Sequence, residues 1–200
     1  MKISTFFFML IIFISTTAKA QDVEVTDLPY YQIPDYPEKF TAGTVAARVV
    51  DGLGFRYYWA TEGLRNVDLN YKPNDSARTT LETINHIYGL SNVIVNATKK
   101  TINDFTLERP QLTYEEKRQK TLENIKQASE ILKNSSAEEM ENYLIIFKGK
   151  NGTSEYPFWN NLNGPIGDAL WHTGQVVLLR RASGNPFNSK ASLLRGRLRD

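Results

Sequence analysis

Cysteine is absent from this 200-residue chain, and histidine occurs only twice, at His86 and His172. The first absence excludes disulfides and a lipid-anchoring cysteine, so stability has to come from packing, a metal ion or association. It also excludes the thiolate-rich, four-ligand zinc sites that serve a purely structural role. No run after the first twenty residues is apolar and long enough to span a bilayer, and neither an internal repeat nor a low-complexity segment follows them. An excess of one charge is missing too. Removing residues 1–20 would take away Lys2 and Lys19 and no acid, leaving 22 of the 24 basic residues against all 22 acidic ones. Such a balance argues against a nucleic-acid partner or a generally anionic-membrane-binding surface. The one local excess is the tail, where Arg195, Arg197 and Arg199 read as a solvated end rather than a binding arm.

What is present begins with an export signal. Lys2 precedes the apolar run Phe6 to Ile14, and the small-residue pattern Ala18-Lys19-Ala20 follows. Residues 1–20 are therefore expected to be a signal peptide cleaved before Gln21, giving a periplasmic or secreted protein. The alternative, a membrane anchor, meets an apolar run shorter than the ~20 residues a spanning helix requires.

The remaining length and a 41% hydrophobic content suit a single domain. Residues 21–39 carry Pro29, Pro34 and Pro37 without helical or strand periodicity and are expected to form an extended lead-in, with the domain occupying 40–200. Ala46, Val49, Val50, Leu53, Tyr57, Ala60 and Leu64 recur at steps of three and four, predicting a first helix. A second is predicted from a cap at Asp75 or Ser76 to about Lys100, apolar on more than one side. The pair Thr113 and Glu116 has the spacing of a capping box and opens a third helix to about Asn134; Ser136 and Glu139 repeat the spacing. Tyr143 to Phe147, Asn151-Gly152 and Tyr156 to Trp159 predict a small hairpin. The last long helix is expected to begin at Pro165 and stop at Gly184, ahead of Pro186. The fold class is thus all-α: four helices in a bundle with a β-hairpin insertion before the last one.

Two of these helices carry chemistry. Asp168 and His172 stand four residues apart on the last helix, and Gln175 and Leu179 continue their stripe. Leu179 lies within ~20° of Asp168 around the helix, so the stripe is expected to face inward. On the second helix Glu82, His86, Val93 and Ala97 share a face, which lets His86 meet His172 across the bundle. Two imidazoles and a carboxylate form an open site for zinc, nickel, iron or copper, with positions left for water or a small-molecule substrate. Spacing alone leaves a second reading, a salt-bridged pair within one helix. Glu82 reads as an extra ligand, an outer acceptor for His86, or an ordinary helix glutamate. The aromatics Tyr57, Tyr58, Trp59, Phe158, Trp159 and Trp171 read as core, with a substrate pocket as the alternative.

The segments Asn85-His86-Ile87-Tyr88-Gly89-Leu90 and Asp168-Ala169-Leu170-Trp171-His172-Thr173-Gly174-Gln175, followed by Arg180 to Pro186, resemble the DinB-like superfamily. The resemblance covers nearly all of the chain after residue 20 in element order, while its motif residues lie in the second and fourth helices. It implies an up-down-down-up bundle in which a histidine of the second helix and a pair on the fourth bind a divalent metal. His86 and His172 match; Asp168 stands where the family commonly has a third histidine. It further implies a metal-dependent transferase, hydrolase or isomerase, in a family where many members have no known activity; a non-catalytic metal-binding or structural bundle is the alternative. Export disfavours those relatives that use an intracellular thiol and points to water acidified by the cation as the nucleophile. A homodimer is compatible with either reading.

Overall fold

The computed structural model describes residues 28–200, so the expected signal peptide and the first part of the lead-in lie outside the described residues. The fold is broadly helical with a few small strands. In chain order it runs α1 (Ala42–Thr61), α2 (Asn66–Leu69), α3 (Thr80–Thr98), β1 (Asn103–Asp104), α4 (Tyr114–Lys133), α5 (Ala137–Met140), β2 (Ile145–Gly149), β3 (Gly152–Tyr156), α6 (Trp159–Asn161), a π-helical turn (Leu162–Ile166), α7 (Gly167–Ala182), β4 (Ala191–Ser192) and β5 (Arg197–Leu198).

Local chemistry sets most helix starts. Thr113 Oγ1 accepts the amide of Glu116 while the Glu116 carboxylate accepts the amide of Thr113, so two otherwise unpaired donors at the head of α4 are satisfied. Ser136 and Glu139 do the same at α5. The second long helix starts later than its sequence implies. Asn74 Oδ1 accepts both the amide and the hydroxyl of Ser76, which leaves Ser76 in a turn, and Thr79 with Glu82 forms the capping box of α3 instead. α1 also stops short of Leu64, because Glu62 is extended and Gly63 adopts a φ of +67°.

The start of the last helix differs most. Pro165 sits inside the π-helical turn, where it has no amide to donate. The amide of Gly167 reaches back to the Leu162 carbonyl, and α7 proper follows. Gly184, with φ +84°, closes α7 as its sequence implies.

Each of the four long helices packs on two others: α1 on α4 and α7, and α3 on α4 and α7. Several contacts give their directions. Arg118, early in α4, donates to Thr61 and Tyr58 late in α1, and Gly43 at the head of α1 lies against the Leu132 and Ser135 carbonyls. Arg180, late in α7, donates to the Trp59 and Ala60 carbonyls late in α1. Between the four helices lies the main core, including Val50, Leu53, Tyr57, Ile84, Ile87, Ile94, Leu122, Ile125, Leu132 and Val176. Fully burying each such side chain contributes about 1.5–3 kcal/mol.

Two smaller clusters close the flanks. β2 pairs antiparallel with β3 and parallel with β1, and Ile145 packs on Val93 and Ala97 of α3. β1 was not legible in the sequence because two residues carry no alternation. Phe55, Trp59 and Ala191 form the second cluster, beneath Ile33, Phe187 and Leu198. The described part of the lead-in and the tail therefore both lie on the helices; the tail backbone is tied down, while Arg195, Arg197 and Arg199 are exposed as their solvated reading implies.

Candidate metal centre

α3 and α7 pack together, and the contact brings His86 of α3 to Asp168 and His172 of α7. Asp168 reaches both rings. Its Oδ2 lies 3.1 Å from His86 Nε2 and its Oδ1 lies 3.2 Å from His172 Nε2. The two imidazoles meet edge to face with centroids 4.7 Å apart. One ligand atom from each residue lies within 4.8 Å of the others, so this His/Asp/His group could hold a metal ion.

The cluster sits less deeply than the helical stripe implies. His172 keeps 15% of its side chain exposed, whereas His86 keeps 38% and Asp168 41%. Asp168 is in the first turn of α7, and there Ile166 and Ala169 take the buried positions. The expectation of groups aimed into the core is corrected accordingly: they form a solvent-accessible rim over it. For ligand exchange this is an advantage, since two of the three side chains can be approached from water.

Gln175 is the residue that orients the site. Its Oε1 lies 2.7 Å from His172 Nδ1, the ring nitrogen turned away from Asp168, so the tautomer protonated at Nδ1 would donate to the amide and leave Nε2 for a ligand. In that tautomer the Nε2 lone pair and the Asp168 carboxylate oxygen, 3.2 Å apart, are two acceptors that a shared cation can bridge. The donor set of two imidazole nitrogens and a carboxylate oxygen suits a borderline divalent ion and leaves further coordination positions open. An outer acceptor that fixes the ring tautomer is what such a site needs. The signal for Gln175 was its i, i+3 spacing from His172.

Glu82 is not part of the cluster. Its carboxylate accepts the Thr79 amide at 2.7 Å and the Thr79 hydroxyl at 3.1 Å, and these bonds hold its carboxyl below the usual range. Of the readings open from sequence, the ordinary helix glutamate, here a capping one, is the outcome.

The aromatics divide. Tyr57, Trp59 and Phe158 are core, Tyr58 packs at its edge, and Trp159 and Trp171 are exposed. Among the described residues, no helix is long and apolar enough to cross a membrane. Comparison with protein-family models, with curated proteins and with solved structures found no match in any of the three.

Proposed function

We infer that this chain is a divalent-metal-binding protein of the DinB-like kind, in which His86, Asp168 and His172 hold zinc, nickel or iron for a hydrolase or transferase reaction on a small molecule. One observation carries the reading. A single carboxylate meets two imidazoles from different helices, and the Gln175 amide oxygen stands 2.7 Å from the outer ring nitrogen of His172, where it can orient that ring.

The bundle architecture belongs to the same reading. α1 runs antiparallel to α4, as the Arg118 and Gly43 contacts require, and parallel to α7, as the Arg180 contacts require. α3 begins near the end at which α1 and α7 finish, since the Thr80 amide donates to the Tyr71 carbonyl just after α2 and the Ser183 hydroxyl at the end of α7 donates to Asp68 of α2; this supports an up-down-down-up four-helix bundle and a β2–β3 hairpin inserted before α7. Export to the periplasm or beyond is part of the proposal and is carried by the amino-terminal pattern alone.

Bound at this site, a divalent ion supplies Lewis-acid polarisation and makes water acidic enough to act near neutral pH. The chain's own contribution is positional. Asp168 and the two imidazoles bind, Gln175 orients His172, and the exposure of His86 and Asp168 admits a substrate. A non-catalytic metal-binding or structural protein is the second reading, favoured by the lack of a fourth acid or base in the cluster among the described residues.

Elemental analysis separates these from a metal-free bundle. Protein stripped with chelator and reloaded should take up one divalent ion, and His172→Ala should lose it while keeping its helicity. Stoichiometric metal retained by both His86→Ala and His172→Ala would remove the site. Hydrolytic turnover that follows metal loading selects the enzyme over the binding protein.

A further inference from the structure

Away from the histidines, the lead-in and the tail enclose an open cleft of about 310 Å³ beside α1. Three arginines, Arg48, Arg195 and Arg197, line it against a single acid, Asp35. None of these guanidiniums is in an ion pair among the described residues. Cations gathered without compensating carboxylates create a positive local potential that draws an anion.

The walls are fixed rather than incidental. The Ile33 amide donates to the Gly196 carbonyl at 2.8 Å, tying the lead-in to the tail. Gly196 has a φ of +67°, and a Cβ there would come within 2.6 Å of the Ile33 side chain, so this crossing accepts only glycine. Arg48 donates from Nη1 to the Pro34 carbonyl at 2.7 Å and lies over the Tyr36 ring, 4.8 Å from its centroid. The carbonyl and the ring hold one guanidinium at the cleft wall, and the tail contributes Arg195 and Arg197 to the same lining.

We propose that this cleft binds a phosphate group, carried by a soluble phosphomonoester or by a phospholipid headgroup. The three arginines outnumber the one aspartate by two charges, the charge of a phosphomonoester at neutral pH. Guanidinium forks match the spacing of phosphate oxygens and bind them in pairs. Tyr36 and the exposed Leu194 on the rim offer an apolar surface to the organic part of the ligand. The cleft works independently of any metal.

The test uses the full chain freed of metal with EDTA at low salt, so that the histidine cluster cannot contribute. Calorimetric titration with inorganic phosphate and with glycerol 3-phosphate should show one saturable site. The double variant Arg195→Gln with Arg197→Gln should weaken it about tenfold or more. Those side chains are exposed, so the fold is retained, as circular dichroism will check; Arg48→Gln should act in the same direction. Arg181→Gln, an exposed arginine of α7 outside the cleft, should change nothing. Co-sedimentation with vesicles containing phosphatidic acid, whose headgroup is a phosphomonoester, but not with phosphatidylcholine vesicles, lost in the double variant, assigns the headgroup as the source; phosphate binding without vesicle binding assigns the soluble ester. Absence of saturable binding to either phosphate and of vesicle binding overturns the proposal. So does weakening by Arg181→Gln equal to that of the double variant.

Discussion

Gln175 places its amide oxygen 2.7 Å from His172 Nδ1, one turn along the same helix, and thereby decides which ring nitrogen faces Asp168. The consequence is measurable without knowing a substrate. Gln175→Leu removes the acceptor and frees the ring to take either tautomer, which should lower divalent-metal affinity about 10–100-fold. Gln175→Glu keeps an acceptor and should keep most of the affinity. Competition against a chromogenic chelator reads both, and equal affinity in the leucine variant and the parent would show that the amide has no orienting role.

A second relationship tests how the lead-in is held. The Tyr30 ring fills the space beside Gly54, where a Cβ would come within 2.5–2.6 Å of three ring carbons, and the phenol donates to Asp51 at 2.9 Å. Alanine is the better helix former by about 0.5–1 kcal/mol, but overpacking costs about 1–3 kcal/mol, so the clash wins. Gly54→Ala should lower the urea midpoint. In a Tyr30→Ala background the clash is gone, and the same substitution should be neutral or stabilising; destabilisation of similar size in both backgrounds would contradict the packing account.

Asp68 supports a prediction about pH. Its buried carboxylate accepts from Arg65, the Ser183 hydroxyl at 2.6 Å and the Asn185 amide at 2.7 Å, tying α2 to the segment after α7. The Arg65 bonds lead in holding its carboxyl well below the ordinary range, with Ser183 and Asn185 adding to them against the cost of burial. Because the folded state favours the ionised form, this contribution is complete above the unfolded-state pKa near 3.8 and is lost as pH falls below it. Asp68→Asn should cost about 1.5–3 kcal/mol at pH 7 and about 1 kcal/mol less at pH 3, the loss continuing at still lower pH because the folded-state carboxyl is still ionised there. Thermal melts at the two pH values compare the difference, and an equal cost at both would refute the assignment.

How far these features could be read beforehand depends on the range of the interaction involved. The capping boxes at Thr113 and Ser136 and the stop at Gly184 involve residues within a turn of each other, so spacing was enough to find them. The same locality misled at Ser76: a cap and a turn use the same side chain, and only the Asn74 bond decides between them. Pro165 is a similar case, since its missing amide is compatible with a first α-turn and with the wider turn that forms.

The candidate site divides along the same line. Spacing put Asp168, His172 and Gln175 on one face of a helix and gave His86 a face of its own. That Glu82 is consumed by a cap, and that the cluster stands at the rim rather than in the core, depended on where α3 begins and which residues beside it are buried. The arginine cleft was beyond reach, because Arg48 and the tail arginines are joined only by the crossing of Ile33 with Gly196.

What the sequence alone determined about this protein is a set of helices with capped ends and an exact list of the chemistry available to it: no thiol, two imidazoles, and a carboxylate one turn from one of them. Hydrophobic period and capping are properties of neighbouring residues, so they survive without a fold. Only the tertiary structure decided which groups meet, because the distance from His86 to Asp168, or from Arg48 to Arg197, is set by the packing of segments far apart in the chain, where burial outweighs every local preference.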